Sequence, residues 1–569
     1  MLAGQPISRP KRWDNPFDSD LTDEDLARIL ELPLFNQMDP GRFPAHLPLT
    51  GIVRNDMRIG VCERGDILVR EGDYGNSAFL VLEGSVAVIL PPGLSDQARG
   101  NTVPDKLGWL EAARHYFQRA RYPEVRPPGG KFNTQGTALR GKDSKTRVYL
   151  KDPDAIKRLH SVVILQAGEL FGEVAALART PRNSTIFAEE PVKVLEIRWQ
   201  GLRDLRRYVE SFRQQIDGLY RERNLVTHLK EINLFSHLSD TQLQKVAQST
   251  LFESYGNFDW HTEFNIGRTN SQQNMAMEHV IAEQGSYPDG LLFIRSGFAV
   301  VAHKINNGKK TISVASNGDI FGLEELLHNS ESDKEIPYQN ELGALGYADV
   351  LRVPTLIVEE YVLPYLSNVR KRALRDNLKQ FQNTKLITKP SNYSDFMEFS
   401  VDHRYINGTA TMLIDSDRCT RCDECVHACA NSHGGNPRFV RHGKQHEHYI
   451  VANACMHCVD PVCMIGCPTG AIHRSQRNGE VVINDASCIG CATCANSCPY
   501  DNIRMVEVRD VKGDVLVDDS SQAPIMKATK CDLCFNLPGG PACERACPHD
   551  ALKRVDMADS EALMKWLNR

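Results

Sequence analysis

Between positions 419 and 547 lie sixteen of the chain's seventeen cysteines, in four groups of four. The groups are Cys419, Cys422, Cys425 and Cys429; Cys455, Cys458, Cys463 and Cys467; Cys488, Cys491, Cys494 and Cys498; and Cys531, Cys534, Cys543 and Cys547. Groups one and three read C-x2-C-x2-C-x3-C, while groups two and four widen the gap before the third cysteine to four and eight residues. Pro468, Pro499 and Pro548 follow the last cysteine of their groups, and Ala430 takes that place in the first. Nothing else in the sequence constrains the fold as strongly, because thiols this close together must face shared ligands.

This is the spacing of bacterial ferredoxins. Two-residue gaps let three thiolates converge on one cubane from a tight loop, while the fourth cysteine opens the next helix and ligates another cluster. The groups must therefore pair, which predicts four [4Fe-4S] clusters in two ferredoxin-like modules. Four-cysteine zinc sites use two CxxC pairs around a long loop and do not produce this pattern. The segment "MLAGQPISRPKRWDNPFDSDLTDEDL" has no apolar run after its basic residues, so it does not read as a secretion signal. The expectation is a cytoplasmic, reducing setting, where clustered cysteines are metal ligands rather than disulfides.

The phrases around the cysteines add to this. "CMHCVDPVCMIGCPTGAI", "CIGCATCANSCPYDNIRM" and "KCDLCFNLPGGPACERACP" resemble the electron-transfer subunit of the complex iron–sulfur molybdoenzyme family, over roughly residues 410–555. In that family the first group pairs with the fourth and the second with the third. The resemblance implies that Cys419, Cys422, Cys425 and Cys547 share one cluster, and Cys531, Cys534, Cys543 and Cys429 its partner. It likewise implies a third cluster on Cys455, Cys458, Cys463 and Cys498, and a fourth on Cys488, Cys491, Cys494 and Cys467. Such subunits pass single electrons between a catalytic subunit and another partner, so a flavin- or molybdopterin-containing oxidoreductase subunit is the implied partner.

His442, His446, His448 and His457 flank the second group and read as a surface loop packed on the cluster modules. The lone Cys62 reads as a small buried residue. No GxGxxG after a strand, no P-loop and no nucleophile elbow occurs, so the sequence shows no substrate-transforming site beside the expected electron-transfer role. A formal charge of -5 argues against nucleic acid as a partner. No run of about 18 apolar residues is present to span a membrane.

The cysteine-poor remainder has a different grammar. "ERGDILVREGDYGNSAFLVLEGSVAVIL" alternates apolar and polar residues between Gly65, Gly72, Gly75 and Gly84, which predicts short antiparallel strands. Further on, "VVILQAGELFGEVAALARTPRNSTIFAEEPVKVLEI" gives a strand, a glycine turn, a short helix of small residues, then PR and another strand. This order resembles the phosphate cassette of cyclic-nucleotide-binding domains, and it implies cAMP or cGMP as ligand. On that resemblance Phe171 and Gly172 shape the turn, and helix N–H groups cradle the cyclic phosphate. Arg182 neutralises it in a fork, Glu173 accepts the ribose 2'-OH, and Ser184 or Thr185 adds a hydroxyl.

Residues 91–160 read as an insertion in this β-roll, with a helix around Trp109–Arg119 and a Gly/Pro-rich basic stretch expected to be solvated loop. "LKEINLFSHLSDTQLQKVAQSTLFESY" and "VIAEQGSYPDGLLFIRSGFAVVAHKINNGKKTISVASNGDIFGLEELL" then repeat the lead-in helices and the roll. Glu283, Gly285 and Gly297 match Glu71, Gly72 or its neighbour, and Gly84. Leu323 replaces the glutamate and no arginine follows the helix, so the second copy is expected not to bind. Helical segments after each roll carry apolar residues at three and four spacing, suiting packing on the rolls or across a homodimer.

The expected architecture is α+β and multidomain: two β-roll (jelly-roll-like) cyclic-nucleotide-binding domains, then a double bacterial-ferredoxin-like domain. The divisions fall at a helical lead-in (1–45), first roll (46–225), degenerate second roll (226–385), linker (386–408) and cluster domain with a C-terminal helix (409–569). The expected function is an iron–sulfur electron-transfer subunit of a larger oxidoreductase complex, with the rolls regulating or docking it. Alternatives are a redox and nucleotide sensor without an enzyme partner, and rolls that serve as ligand-free scaffold.

Overall fold

The structure is a computed structural model. It describes residues 16–18, 20–89, 122–126, 150, 153–178, 181–223, 225–256, 260, 264, 278–305, 308–382, 392–465, 467, 469–475, 479–485, 488–518, 521–535, 537 and 539–569. The helix expected around Trp109–Arg119 lies outside the described residues.

In the first roll the β-branched and aromatic stretches form two four-stranded antiparallel sheets. One runs Met57–Cys62, Val192–Arg198, Ser77–Glu83, Leu170–Phe171; the other runs Ile67–Val69, Thr185–Ala188, Val86–Ile89, Val162–Leu165. Phe79, Val81, Phe171, Ile186 and Val194 fill the space between them, with Cys62 buried among them as expected. The corner between Ser77–Glu83 and Val86–Ile89 needs Gly84. Its φ is 78°, and a Cβ there would lie 2.5 Å from the Pro191 carbonyl oxygen.

The second roll keeps the plan with longer strands. Gly290–Ile305 and Glu341–Pro354 run sixteen and fourteen residues through the whole sheet, bending at register shifts beside Ser296 and Gly297. Gly297 is the counterpart of Gly84: its φ is 82°, and a Cβ would meet the Tyr347 carbonyl at 2.0 Å. The lead-in helices Asp23–Glu31 and Asp240–Ser249 both open on a capping box, Thr22 with Asp25 and Ser239 with Gln242. Each roll then ends on helices, Trp199–Tyr208 and Glu210–Arg223 after the first, Thr355–Tyr361 and Asn368–Gln382 after the second.

The cysteine-rich region folds as two modules. Thr411–Asp415, just before group one, pairs with Leu552–Val555, just after group four, inside a four-stranded sheet with Val440–His446 and Tyr449–Asn453. The hairpin Ile472–Arg474 with Val481–Ile483 connects groups two and three. Chain ends far apart in sequence are thus joined by strand pairing, and groups one and four become neighbours.

Three expectations need correction. Residues 392–402, within the stretch read as a linker, form a helix with Phe396 wholly buried against Tyr449 and the cluster core. Its apolar positions had a surface to cover, which a sequence without its partner face does not reveal. In the insertion, Tyr122–Arg126 is docked rather than solvated. Arg126 is buried, pairs with Glu124 and Asp485, and donates its N–H to Arg509 O, while the Arg509 N–H donates to Glu124 O. His457, read as part of a surface loop, is fully enclosed, and its Nδ1 accepts the Val481 N–H at 3.0 Å.

Candidate functional site

The cysteine loops are tight because selected residues take left-handed backbone. Arg421 and Asp423 in group one, and Gly490 and Ala492 in group three, stand at the same two offsets past the first cysteine, with φ of 61–67°. Each pair of reversals keeps the loop that carries the first three cysteines of its group tight. Short helices then carry the later cysteines: Glu424–Ser432 lies against Ala542–Arg545, and Val462–Ile465 against Thr493–Ser497.

Four sets of thiols converge. Cys419, Cys422, Cys425 and Cys547 line one cavity. Cys467, Cys488, Cys491 and Cys494 line another. Cys429 lies among Cys531, Cys543 and Cys534, and Cys458 among Cys455, Cys463 and Cys498. Each set takes three cysteines from one group and one from its partner. All seventeen cysteines are free thiols.

The donor set suits anionic sulfur. Backbone N–H groups of Arg438, Ala551 and Leu533 donate to the sulfurs of Cys429, Cys547 and Cys531 at 3.2, 3.3 and 3.5 Å. Thr493 Oγ1 donates to Cys491, and Arg554 Nη2 donates to Cys531 Sγ at 3.0 Å. Burial, together with neighbouring thiols, pushes Cys425 up to about 11 and Cys494 and Cys534 up to about 12. Such quartets ionise when a cation takes the place of their protons. Two buried cations stand where the modules meet. Lys530 reaches Val481 O and Cys531 O and bonds to Cys455; Arg554 also donates to the Cys455 carbonyl at 3.1 Å. Burial opposes both charges, and the surrounding cysteines in their thiolate form offset it and raise both pKa values. Lys530 immediately precedes a cysteine and could have been singled out, whereas Arg554 acquires meaning only through the strand that carries it back.

In the first roll the structure brings Gly172, Glu173 and Arg182 together. Gly172 has φ 77°, and a Cβ there would press on Arg182 Nη1. Glu173 opens the helix Glu173–Ala178 and is buried. Arg182 is also buried, donating to Gly172 O and Ser77 O at 2.5 and 2.6 Å. Burial lowers its pKa to about 10, against the opposing pull of Glu196, Glu173 and Asp73. It is a cation with room for more counter-charge. Ser184, two residues further along, is partly exposed, and its hydroxyl donates to Asn183 Oδ1 at 3.3 Å. Phe171 and Thr185 do not join this group. Phe171 stacks on Phe79 in the core at 5.2 Å, and buried Thr185 accepts the Glu71 N–H.

The second roll shows what replaced the arginine. Arg182 exchanges backbone hydrogen bonds with Gly72 and Asp73; Tyr338 does the same with Gly285 and Ser286. The Tyr338 ring covers Gly322, where a Cβ would meet it at 2.9 Å, as the Arg182 guanidinium covers Gly172. Gly285 therefore matches Gly72 itself, and Gln284 rather than Glu283 stands opposite Glu71.

The model for the 4Fe-4S dicluster domain matches residues 446–557, and that for the cyclic nucleotide-binding domain matches residues 144–208 and 272–360. Hydrogenase-4 component A of Escherichia coli (strain K12) is 34% identical over 175 residues, 26% of this chain and 84% of that protein. Electron transport protein HydN of the same strain is 35% identical over 164 residues, 27% of this chain and 91% of that protein. One chain of the anaerobic dimethyl sulfoxide reductase of Haemophilus influenzae (strain ATCC 51907 / DSM 11121 / KW20 / Rd) is 32% identical over 170 residues, 26% of this chain and 73% of that protein. Fold and site define an iron–sulfur protein fused to cyclic-nucleotide-binding rolls. The chain belongs to the family of 4Fe-4S dicluster electron-transfer proteins.

Proposed function

We propose that the chain is an electron-transfer subunit of a larger cytoplasmic oxidoreductase complex, holding four [4Fe-4S] clusters, with its first roll binding a cyclic nucleotide. The observation that carries the reading is the convergence of sixteen cysteines into four sets of four, each drawing on two groups. When bound, the clusters supply one-electron redox chemistry. The protein's part is to hold them in order. Cys422 and Cys491 are exposed, while Cys429, Cys531, Cys534 and Cys543 are buried and Cys455, Cys463 and Cys498 likewise. Electrons would therefore enter and leave at the two sets with an exposed thiol and cross the modules between Cys531 and Cys455. Two of the relatives are named as parts of a larger enzyme, which supports a place in an oxidoreductase complex, and the partner we propose there is a flavin- or molybdopterin-bearing subunit. No described helix is long and apolar enough to cross a membrane.

The test is purification of the complex under anaerobic conditions. About sixteen irons per chain by ligand count, cubane absorbance and a co-purifying redox subunit are expected. A chain without cubane absorbance, or one that assembles with nothing, overturns the electron-transfer reading.

Arg554→Gln probes the crossing point. Removing a buried cation that donates to a sulfur should lower the potential of the cluster at Cys531 by roughly 60–130 mV. That figure converts about 1.5–3 kcal/mol for a hydrogen bond to a charged group at 59 mV per tenfold for one electron. EPR-monitored redox titration measures it, and an unchanged potential would remove Arg554 from the tuning set.

A further inference from the structure

The first roll touches the cluster domain along a seam that begins at its own phosphate cassette. Residues 72–76 form one wall of the cassette. Gly72 N–H donates to Arg182 O and Arg182 N–H to Asp73 O, both at 2.8 Å, and Tyr74 bridges Pro181. A Cβ on Gly75 would lie 2.6 Å from Arg182 Cζ. This wall and Arg182 are therefore one piece.

The outer side of the same wall meets Arg474. The Arg474 guanidinium lies 5.6 Å over the Tyr74 ring, and Asn76 Nδ2 donates to Arg474 O at 3.3 Å. Gly479, with φ 73°, lets the Tyr74 ring approach to where a Cβ would be 2.6 Å away. Arg474 is itself buried, and its guanidinium clamps the loop of group two. Nη2 donates to Cys458 O and Val459 O at 2.6 and 2.7 Å, and Nη1 donates to Gly479 O at 2.8 Å. A second strut runs beside it, from Arg198 Nη1 to Thr469 O at 3.0 Å, two residues beyond Cys467.

We propose that Arg474 is a positioning residue through which nucleotide occupancy of the first roll sets the potential of the cluster at Cys458. The proposal rests on the reading that Arg182 binds a cyclic nucleotide and Cys458 a cluster. In the present structure both terminal nitrogens of Arg182 donate to backbone carbonyls. Those bonds use two of the five guanidinium N–H donors, and a phosphate drawing on the other three pulls the guanidinium from its seat against Gly172 and Gly75. The wall bonded to the Arg182 backbone shifts with it and carries Tyr74 across Arg474. A cation and the carbonyl it holds beside a cluster both act on its charge. Linkage makes the effect reciprocal: oxidation and reduction must change nucleotide affinity by the same factor that the nucleotide changes the redox equilibrium.

The test uses the full chain with its clusters assembled. cAMP and cGMP are titrated calorimetrically into the oxidised and the dithionite-reduced protein, and cluster potentials are read by EPR with and without nucleotide. The expected result is an affinity ratio of at least about fivefold between redox states, with one midpoint moving by 59 mV for each tenfold in that ratio. Tyr74→Leu should bring the ratio to one, whatever it does to affinity, and Tyr74→Phe, which keeps the ring on Arg474, should restore it. Equal affinity in both states overturns the linkage and leaves nucleotide binding standing. Full coupling in Tyr74→Leu overturns the route through Arg474. Absence of binding in both states overturns the nucleotide reading and the linkage with it.

Discussion

Cys429→Ala, Cys531→Ala and the double variant are expected to carry the same iron, about twelve atoms per chain against about sixteen for the parent. The reason is that two substitutions in one set destroy one cluster, once. Cys429 belongs to the first group by sequence, but its helix, Glu424–Ser432, lies against Ala542–Arg545 of the fourth. Its thiol faces Cys531, Cys543 and Cys534, while Cys425, one helical turn away, faces Cys543 and Cys547. The double variant Cys425→Ala/Cys531→Ala strikes two sets and should fall to about eight irons by the same count. Iron and acid-labile sulfide assays, with EPR of the reduced proteins, read the outcome. Eight irons in Cys429→Ala/Cys531→Ala would show each group holding its own cluster, and the pairing would be wrong. This is a double-mutant cycle read in metal atoms: non-additivity within a set and additivity between sets.

Arg182→Ala is expected to weaken cyclic-nucleotide binding by a factor of about thirty to several thousand. That range corresponds to the loss of roughly 2–5 kcal/mol when one partner of a buried charged pair is truncated. Arg182 is 9% exposed and keeps Glu173 and Glu196 within electrostatic reach. A phosphate there would be held in a fork that no other residue of the cassette reproduces, so Arg182→Lys should recover only part of the affinity. Calorimetry on the full chain with cAMP and with cGMP measures both variants. Undiminished affinity in Arg182→Ala would move the binding site away from the cassette, and absence of binding in the parent would favour rolls that act as scaffold. The second roll offers the natural counter-example. There Tyr338 stands on the arginine's backbone hydrogen bonds and Leu323 on the glutamate's turn, so neither charge is available.

Much of the cluster region was legible because ligand geometry is local. The gaps in "CTRCDECVHACA" and "CIGCATCANSCPY" decide which thiols can face one cubane, and the same left-handed offsets recur at Arg421, Asp423, Gly490 and Ala492. The FGE turn and the PR dipeptide were legible for a similar reason, since Gly172 and Glu173 are adjacent and Arg182 follows within one helix and a turn. Phe171 and Thr185 were carried along by the motif, yet their side chains face the core. A motif records backbone order and does not say which side of a strand is inside.

Other features could not be read along the chain. The Arg126 strap, the burial of His457 and the docked helix at 392–402 each depend on a surface supplied from far away in sequence. The exchange of Arg182 for Tyr338 was half legible. The missing arginine was plain, but only shared hydrogen bonds identify what took its place. By itself, then, the sequence determined the residue types on hand: sixteen thiols at iron–sulfur spacing, and a glutamate and an arginine in the cassette of one roll of two. The tertiary structure alone decided who neighbours whom. Pairing of Thr411–Asp415 with Leu552–Val555 joins the outer groups, and Tyr74 against Arg474 joins the cassette to the cluster loop. Spacing along the chain governs direction over a few residues, whereas contacts across hundreds of residues are selected by burial of complementary surfaces that only the folded chain possesses.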